Sequence, residues 1–317
     1  MKKNEKKVRA LVLMSGGLDS MLAGKILEFQ GMKTTLICFK SYFFSEIAAQ
    51  KSARALGMEL RVEDISVPHL EIVKHPRYGY GGAVNPCIDC HLLMLKTAKA
   101  IMNSQGFDFV ATGEVLGERP MSQNKLSLDI IEKESGLAGF LLRPLSALLL
   151  PPTIAETKGL IDRNQLYGIS GRSRKVQMEL AEKFNIKYVP QPGGGCILTE
   201  KEYGQRLGQL MTKCPNFDGS DAQLLRHCRP IWEEDMLFAV ARDQDDCAAL
   251  KKLAKTKDYI FEPKNFPGST VLARNFGKAV QGATLHNSKI IEELGKKYLL
   301  QYSKKIPVDP EININYL

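Results

Sequence analysis

Six residues, Ser15-Gly16-Gly17-Leu18-Asp19-Ser20, join a short apolar run, "VRALVL" (8–13), to a stretch of helical spacing over 20–30 that closes at Gly31. A strand that passes through two adjacent glycines into an amphipathic helix is the opening unit of an α/β sheet, and few other folds begin this way. Such a turn presents consecutive backbone N–H groups to one point, and the positive end of the helix dipole adds to them, so the turn is a candidate anion site, the alternative being a plain tight turn capped by Asp19 or Ser20. Gly16 and Gly17 let anionic oxygens come close with no Cβ in the way, and Ser15 and Ser20 can donate hydroxyl hydrogen bonds. Asp19 repels phosphate, so its expected task is to hold Mg²⁺ or the loop itself. The pattern is not the Walker loop, which ends in Gly-Lys-Ser/Thr.

The rest of the N-terminal half repeats the alternation. "KTTLICF" (33–39), "ELRVEDIS" (59–66), "FDFVATGE" (107–114) and "GFLLRPLS" (139–146) read as strands, with helices expected over about 45–56 and 90–103. This predicts an α/β fold with a doubly wound parallel sheet, its site beyond the carboxyl ends of the strands, in the loops after Met14, Phe39, Gly113 and Ser146. The polar, Gly/Pro-rich stretch "VPHLEIVKHPRYGYGGAVNPCIDC" is too irregular to predict an element. Past "QPGGGC" (191–196) the texture changes to strands at 236–242, 258–262 and 270–274, with helices over about 245–256 and 286–299. The expected division is a basic tail (1–7), a main domain (8–200), a linker region (201–232) and a small α+β domain (233–317).

Lys and Arg number 44 against 35 Asp and Glu, a net charge of +9 that favours anionic partners such as nucleotides or nucleic acid. No run of apolar residues is long enough for a membrane span, and the lysine-rich start has no apolar h-region behind it. Seven cysteines, odd in number and unevenly spread, do not make a disulfide framework in a chain of 317 residues. The expected compartment is therefore the cytoplasm, with reduced thiols free for chemistry or metal.

Three of those thiols stand out. Cys87 and Cys90 form a Cys-x-x-Cys pair at the mouth of the 90–103 helix, where the helix dipole is expected to lower a thiol pKa. Cys196 follows three glycines in a second backbone-rich loop, whereas Cys38 lies in an apolar strand and Cys214, Cys228 and Cys247 have no paired spacing. The pair fits half of a zinc site, a redox couple or part of an iron–sulfur site. Zinc wants a fourth ligand, for which His91 is the candidate.

"SGGLDS" directly after the first strand resembles the pyrophosphate loop (PP-loop) of the N-type ATP pyrophosphatases, which cleave ATP between the α- and β-phosphates and adenylate a substrate. "TGEVLGERPMSQ" (112–123) and "LLRPLS" (141–146) resemble segments of the tRNA 4-thiouridine synthases. "NPCIDC" is similar to the active-cysteine segment of the bacterial tRNA 2-thiouridylases, with Cys90 on the active cysteine, but that family has Asp where Cys87 stands. The exchange moves the match towards the cluster-dependent thiolases, in which a Cys-x-x-Cys and a distant cysteine carry a 4Fe-4S centre. The resemblance covers roughly residues 8–200 and does not take in the N-terminal RNA-binding region of ordinary 4-thiouridine synthases.

The resemblance implies an ATP-dependent sulfurtransferase that makes 4-thiouridine or 2-thiouridine in tRNA. Its implied cofactors are ATP, Mg²⁺ and a 4Fe-4S cluster on Cys87, Cys90 and Cys196, with zinc as the alternative. Ser15, Gly16, Gly17, Asp19, Ser20, Gly113, Gly117 and Arg143 would form the nucleotide site, and Cys90, Cys196 and Asp19 would carry the chemistry. Sulfide or a persulfide carrier would supply the sulfur. Arg119, Arg143, Arg172, Arg174 and Lys175 are candidate phosphate or RNA-backbone contacts, and Asp89 is expected as the cap of the 90–103 helix. Glu114 receives no proton-transfer role. The C-terminal domain is a candidate RNA-binding module. An amide- or amine-forming ligase of the same superfamily, or a zinc-stabilised RNA-binding protein, is the alternative function.

Overall fold

The computed structural model describes residues 7–191, 196–277 and 288–317. The chain divides into two compact units, Met1–Ile197 and Leu198–Leu317.

The first unit is built on five parallel strands, β1 (Arg9–Leu13), β2 (Lys33–Lys40), β3 (Leu60–Asp64), β4 (Phe109–Ala111) and β5 (Leu141–Leu142), in the order β3-β2-β1-β4-β5. Helices α1 (Leu18–Phe29) and α2 (Ile47–Leu56) follow the first two strands. Next come α3 (Ser66–Lys74), α4 (Cys87–Gln105), α5 (Lys125–Ser135), the single turn α6 (Ile154–Thr157) and α7 (Lys175–Lys183). Alternate side chains of β1 explain the double winding. Ala10 and Val12 join a core with Leu22 and Ile26 of α1, Ala53 of α2 and Leu180 of α7. Leu11 joins the opposite core with Leu92 and Leu95 of α4 and Ile131 of α5. Both faces of β1 are dry, so it reads as a continuous apolar run.

The stretch after β3, expected to hold no element, contains α3. Pro68 lies in its first turn, where proline is tolerated, while His69, Leu70 and Val73 bury one face. Helices α5 and α7 were likewise not among the expected elements.

The second unit is an antiparallel sheet in the order β10-β8-β9-β7-β6. Its strands are β6 (Arg229–Glu233), β7 (Met236–Val240), β8 (Tyr259–Pro263), β9 (Val271–Asn275) and β10 (Ile312–Tyr316). Its helices are α8 (Lys201–Lys213), α9 (Gly219–Leu224), α10 (Gln244–Leu253) and α11 (Ser288–Gln301), and α11 packs Ile291, Tyr298 and Leu299 on Phe238, Phe261 and Val271. Residues 201–232, expected as a linker region, hold α8, α9 and β6 of this unit. Tyr203, Leu207 and Leu210 bury one side of α8, a helical spacing visible in the sequence.

Candidate active site at the carboxyl edge of the parallel sheet

The strand order reverses between β1 and β4, and in such sheets ligands bind outside the carboxyl ends of the strands at that point. The loop after β1 is Ser15–Gly17. Gly17 caps α1 with no side-chain hydrogen bond, so the first N–H groups of α1 have no side-chain cap. The two glycines have separate tasks. Gly16 has φ +92°, and a Cβ there would lie 2.5 Å from the backbone of Ala48, so it admits the start of α2 rather than a ligand. Ser52 of α2 donates to the Gly16 carbonyl at 2.8 Å. Gly17 is exposed, and a Cβ there would meet only Ser15 Oγ, at 3.5 Å. Ser20 donates to the Gly17 carbonyl at 2.7 Å, and Gly17 N donates to Ser15 Oγ at 3.3 Å, so both hydroxyls brace the turn.

The loop after β4 closes on the same point. A Cβ on Gly113 would lie 2.5 Å from Asp19 C and Ser20 N, so this loop sits against the head of α1. Gly117, at φ +80°, turns the loop on towards Gly171, whose N–H donates to the Leu116 carbonyl at 2.8 Å. Ser146, after β5, accepts from Leu116 N at 3.0 Å and donates to the Ile169 carbonyl at 2.7 Å. The expected loops therefore gather.

Burial raises the Asp19 pKa, opposed by a hydrogen bond from Gln177 and by the charges of Arg174 and Arg119. Its buried Oδ1 has no hydrogen-bond partner among the described residues, which suits a cation bound at that oxygen. Burial and the Asp19 carboxylate also raise Glu118, a neighbour not foreseen from the sequence, while Arg119 and Arg174 oppose the shift. Arg174 and Arg119 thus act electrostatically at the turn, whereas Arg172 and Lys175, which flank Arg174 in sequence, are exposed.

The Cys-x-x-Cys pair occupies the first turn of α4, with Cys87 as its first residue. Asn85 Nδ2 donates to Cys87 Sγ at 3.2 Å. Asp89 does not cap the helix: it lies within the first turn and accepts from the backbone N–H groups of Arg77 (3.3 Å) and Tyr78 (2.9 Å). Cys196, from the other end of the unit, contacts the Phe43 carbonyl beyond β2 at 3.9 Å. The three glycines before it lie outside the described residues. Burial pushes the Cys90 thiol well up, and the nearby thiols of Cys196 and then Cys87 push it further. The lowered thiol pKa expected from the helix dipole is thus reversed at Cys90, because its sulfur is buried near two others. None of the seven cysteines forms a disulfide; Cys38 and Cys228 are buried, and Cys214, Cys228 and Cys247 lie in the second unit.

No three His, Cys, Asp or Glu side chains among the described residues converge on one point where a single metal ion would sit. The cysteines of an iron–sulfur cluster each hold a separate iron and need no such point. Cys90 with Cys87 and Cys196 near it, and an amide N–H already directed at Cys87 Sγ, fits that donor set.

Arg143 is not placed as a phosphate or RNA contact. It is 3% exposed, and its guanidinium is taken by Glu114 (2.9 Å) and Glu132 (2.7 Å). Glu114, 6% exposed, also accepts from Thr112 at 3.0 Å and bonds His91 Nδ1 at 2.8 Å. Although burial works against its charge, Arg143 and His91 hold its pKa down at about 2. His91, the candidate fourth zinc ligand, is thus engaged by Glu114. No spacing rule foretold this chain of contacts, since its members lie on four separate segments.

The fold and its turn define a class, the PP-loop α/β domains. Residues 6–149 match the family model described as "Thiamine biosynthesis protein (ThiI)". Over those residues, which lie in the first unit, the chain is similar to that family. The chain is 28% identical over 228 residues to a tRNA-specific 2-thiouridylase of Caldicellulosiruptor saccharolyticus, covering 63% of this chain and 58% of that one. It is 30% identical over 151 residues to a probable tRNA sulfurtransferase of Brevibacillus brevis, covering 44% of this chain and 35% of that one. The chain thus spans less than two thirds of either relative. A crystal structure of a 4-thiouridine synthetase–RNA complex with bound ATP is similar at a TM-score of 0.37 and 20% identity, covering 56% of this chain and 52% of that one. That likeness is too partial to carry an argument. No helix among the described residues is long and apolar enough to cross a membrane.

Proposed function

We propose that the chain is an ATP-dependent sulfurtransferase that adenylates a uridine carbonyl oxygen of tRNA and replaces that oxygen with sulfur, giving 4-thiouridine or 2-thiouridine. The observation that carries this reading is the gathering of Cys87, Cys90 and Cys196 in the unit that holds the glycine turn. A ligase that delivers ammonia or an amine has no use for three thiols. The matched thiouridylase and sulfurtransferase point the same way.

Gly17 and the uncapped N–H groups of α1 would bind phosphate oxygens of ATP, with Arg174 and Arg119 balancing their charge. Asp19 would hold Mg²⁺ through its unpartnered Oδ1. The uridine oxygen attacks the α-phosphorus, the bond to the β-phosphate breaks and pyrophosphate leaves. A sulfur nucleophile then forms the C–S bond as the C–O bond breaks and AMP departs. Cys87, Cys90 and Cys196 would hold a 4Fe-4S cluster, which supplies an iron with no protein ligand where sulfide can bind. The donor is sulfide, or a persulfide carrier from which a second thiol releases sulfide as the two thiols form a disulfide, and the second unit is a candidate RNA-binding module on a chain of net charge +9.

Nucleoside mass spectrometry of tRNA from a strain lacking this gene tests the reading. One thiouridine is expected to be missing, restored by the wild-type gene and by none of the Cys87→Ser, Cys90→Ser or Cys196→Ser variants. An unchanged thionucleoside profile, or full restoration by all three variants, would overturn it.

A further inference from the structure

His91 and Glu114 stand one residue away from the two halves of the site. His91 follows Cys90 on α4, and Glu114 follows Gly113, the residue pressed against the head of α1. They are bonded, His91 Nδ1 to Glu114 Oε1 at 2.8 Å. Glu114 is itself fixed: Oε2 accepts from Thr112 (3.0 Å) and from Arg143 (2.9 Å), and Arg143 is anchored by Glu132 of α5 at 2.7 Å. A carboxylate among such donors only accepts, so Nδ1 is the donor of this bond. Gly113 cannot retreat from α1 without breaking this set, and α4 cannot shift without stretching the His91 bond.

We propose that the His91–Glu114 hydrogen bond is the strut that fixes the thiol helix α4 relative to the nucleotide turn, so that His91 is a positioning residue coupling ATP binding to sulfur transfer. This rests on the function proposed above only for the second half of the coupling. Nothing in the argument requires His91 to change its charge. Its effect is geometric: a reacting group displaced by an ångström or so loses about a hundredfold in rate. His91→Ala removes the strut and leaves Arg143, Thr112 and Gly113 in place. Asn at the same position can keep a donor close to where Nδ1 stands, whereas Gln carries it farther out.

The test uses the full chain, prepared anaerobically, and two readouts. The first is hydrogen exchange of the amides of 87–95, with and without Mg²⁺ and α,β-methylene-ATP as the probe. Nucleotide should slow exchange there in the wild type and in His91→Asn, and this protection should be lost in His91→Ala. The second uses ATP, sulfide and bulk tRNA from the deletion strain. In a single turnover His91→Ala should release pyrophosphate at the wild-type rate while thiouridine formation falls about a hundredfold, and His91→Asn should recover most of it. Nucleotide protection of α4 that is absent from the wild type, or unchanged in His91→Ala, overturns the strut, as does thiolation by His91→Ala at the wild-type rate. A wild type that shows the protection and its loss in His91→Ala, but makes no thiouridine, supports the strut and overturns the sulfur-transfer reading instead.

Discussion

Glu114 and His69 are both buried in the first unit and respond to acid in different windows. Glu114 is held at about 2 against an ordinary 4.5, by Arg143 and His91. A carboxylate depressed on folding contributes stability that is fully present above its unfolded pKa and is lost as pH falls from 4.5 towards 2. His69 is fully buried between Phe43 and Phe44, its Nδ1 3.1 Å from Ser41 Oγ and its Nε2 without a partner among the described residues. Burial holds its pKa at about 4 against 6.5. The unfolded chain takes up this proton first, so stability falls as pH drops from 6.5 to 4. Urea midpoints should therefore decline in two stages, with His69→Gln flattening the upper stage and Glu114→Gln the lower one. A His69→Gln profile parallel to wild type between pH 6.5 and 4 would contradict the burial argument.

At the scale of elements, the two glycines of the turn separate folding from binding. Gly16→Ala meets both a positive φ and the backbone of α2 at 2.5 Å; the conformation alone costs about 1–2 kcal/mol and the clash adds to that. Gly17 has φ −80°, ψ 162° and open space, so alanine fits the fold. Its methyl group would stand where the phosphates approach. Gly16→Ala should lower the unfolding midpoint of the protein, whereas Gly17→Ala should keep the midpoint and weaken ATP binding in calorimetry. The reverse pattern would mean that the roles have been exchanged. The glycine turn was legible because it is local: a strand, two glycines and a helix in a row. Strands β1, β4 and β5 were legible because both their faces are buried, and β2 because its centre is. Helix α3 was not, because Pro68 reads as a breaker until its place in the first turn is known. Arg143 read as a phosphate or RNA contact because composition cannot show that Glu114 and Glu132 would enclose it. The meeting of His91 with Glu114, and of Cys196 with Cys90, depends on how separate segments pack, and no periodicity reports that.

On the scale of the whole molecule, each unit closes its own core, the first around both faces of the parallel sheet and the second between its sheet and α11. Units with separate cores are expected to unfold separately. The single tryptophan, Trp232, lies in β6 of the second unit, where it packs on Phe276 at 5.5 Å, so its fluorescence reports on that unit alone. The glycine turn lies in the first unit. A ligand that binds only the folded form stabilises it by RT ln(1 + [L]/Kd), about 2.7 kcal/mol at a hundred times Kd. Saturating Mg²⁺ and α,β-methylene-ATP should therefore raise a thermal transition seen by circular dichroism and leave the Trp232 fluorescence midpoint where it was. Gly17→Ala should abolish the rise without moving the fluorescence transition. A fluorescence midpoint that climbs with nucleotide would show that the two units melt as one, or that the nucleotide binds the second unit; a dichroism transition indifferent to nucleotide would remove ATP from the turn.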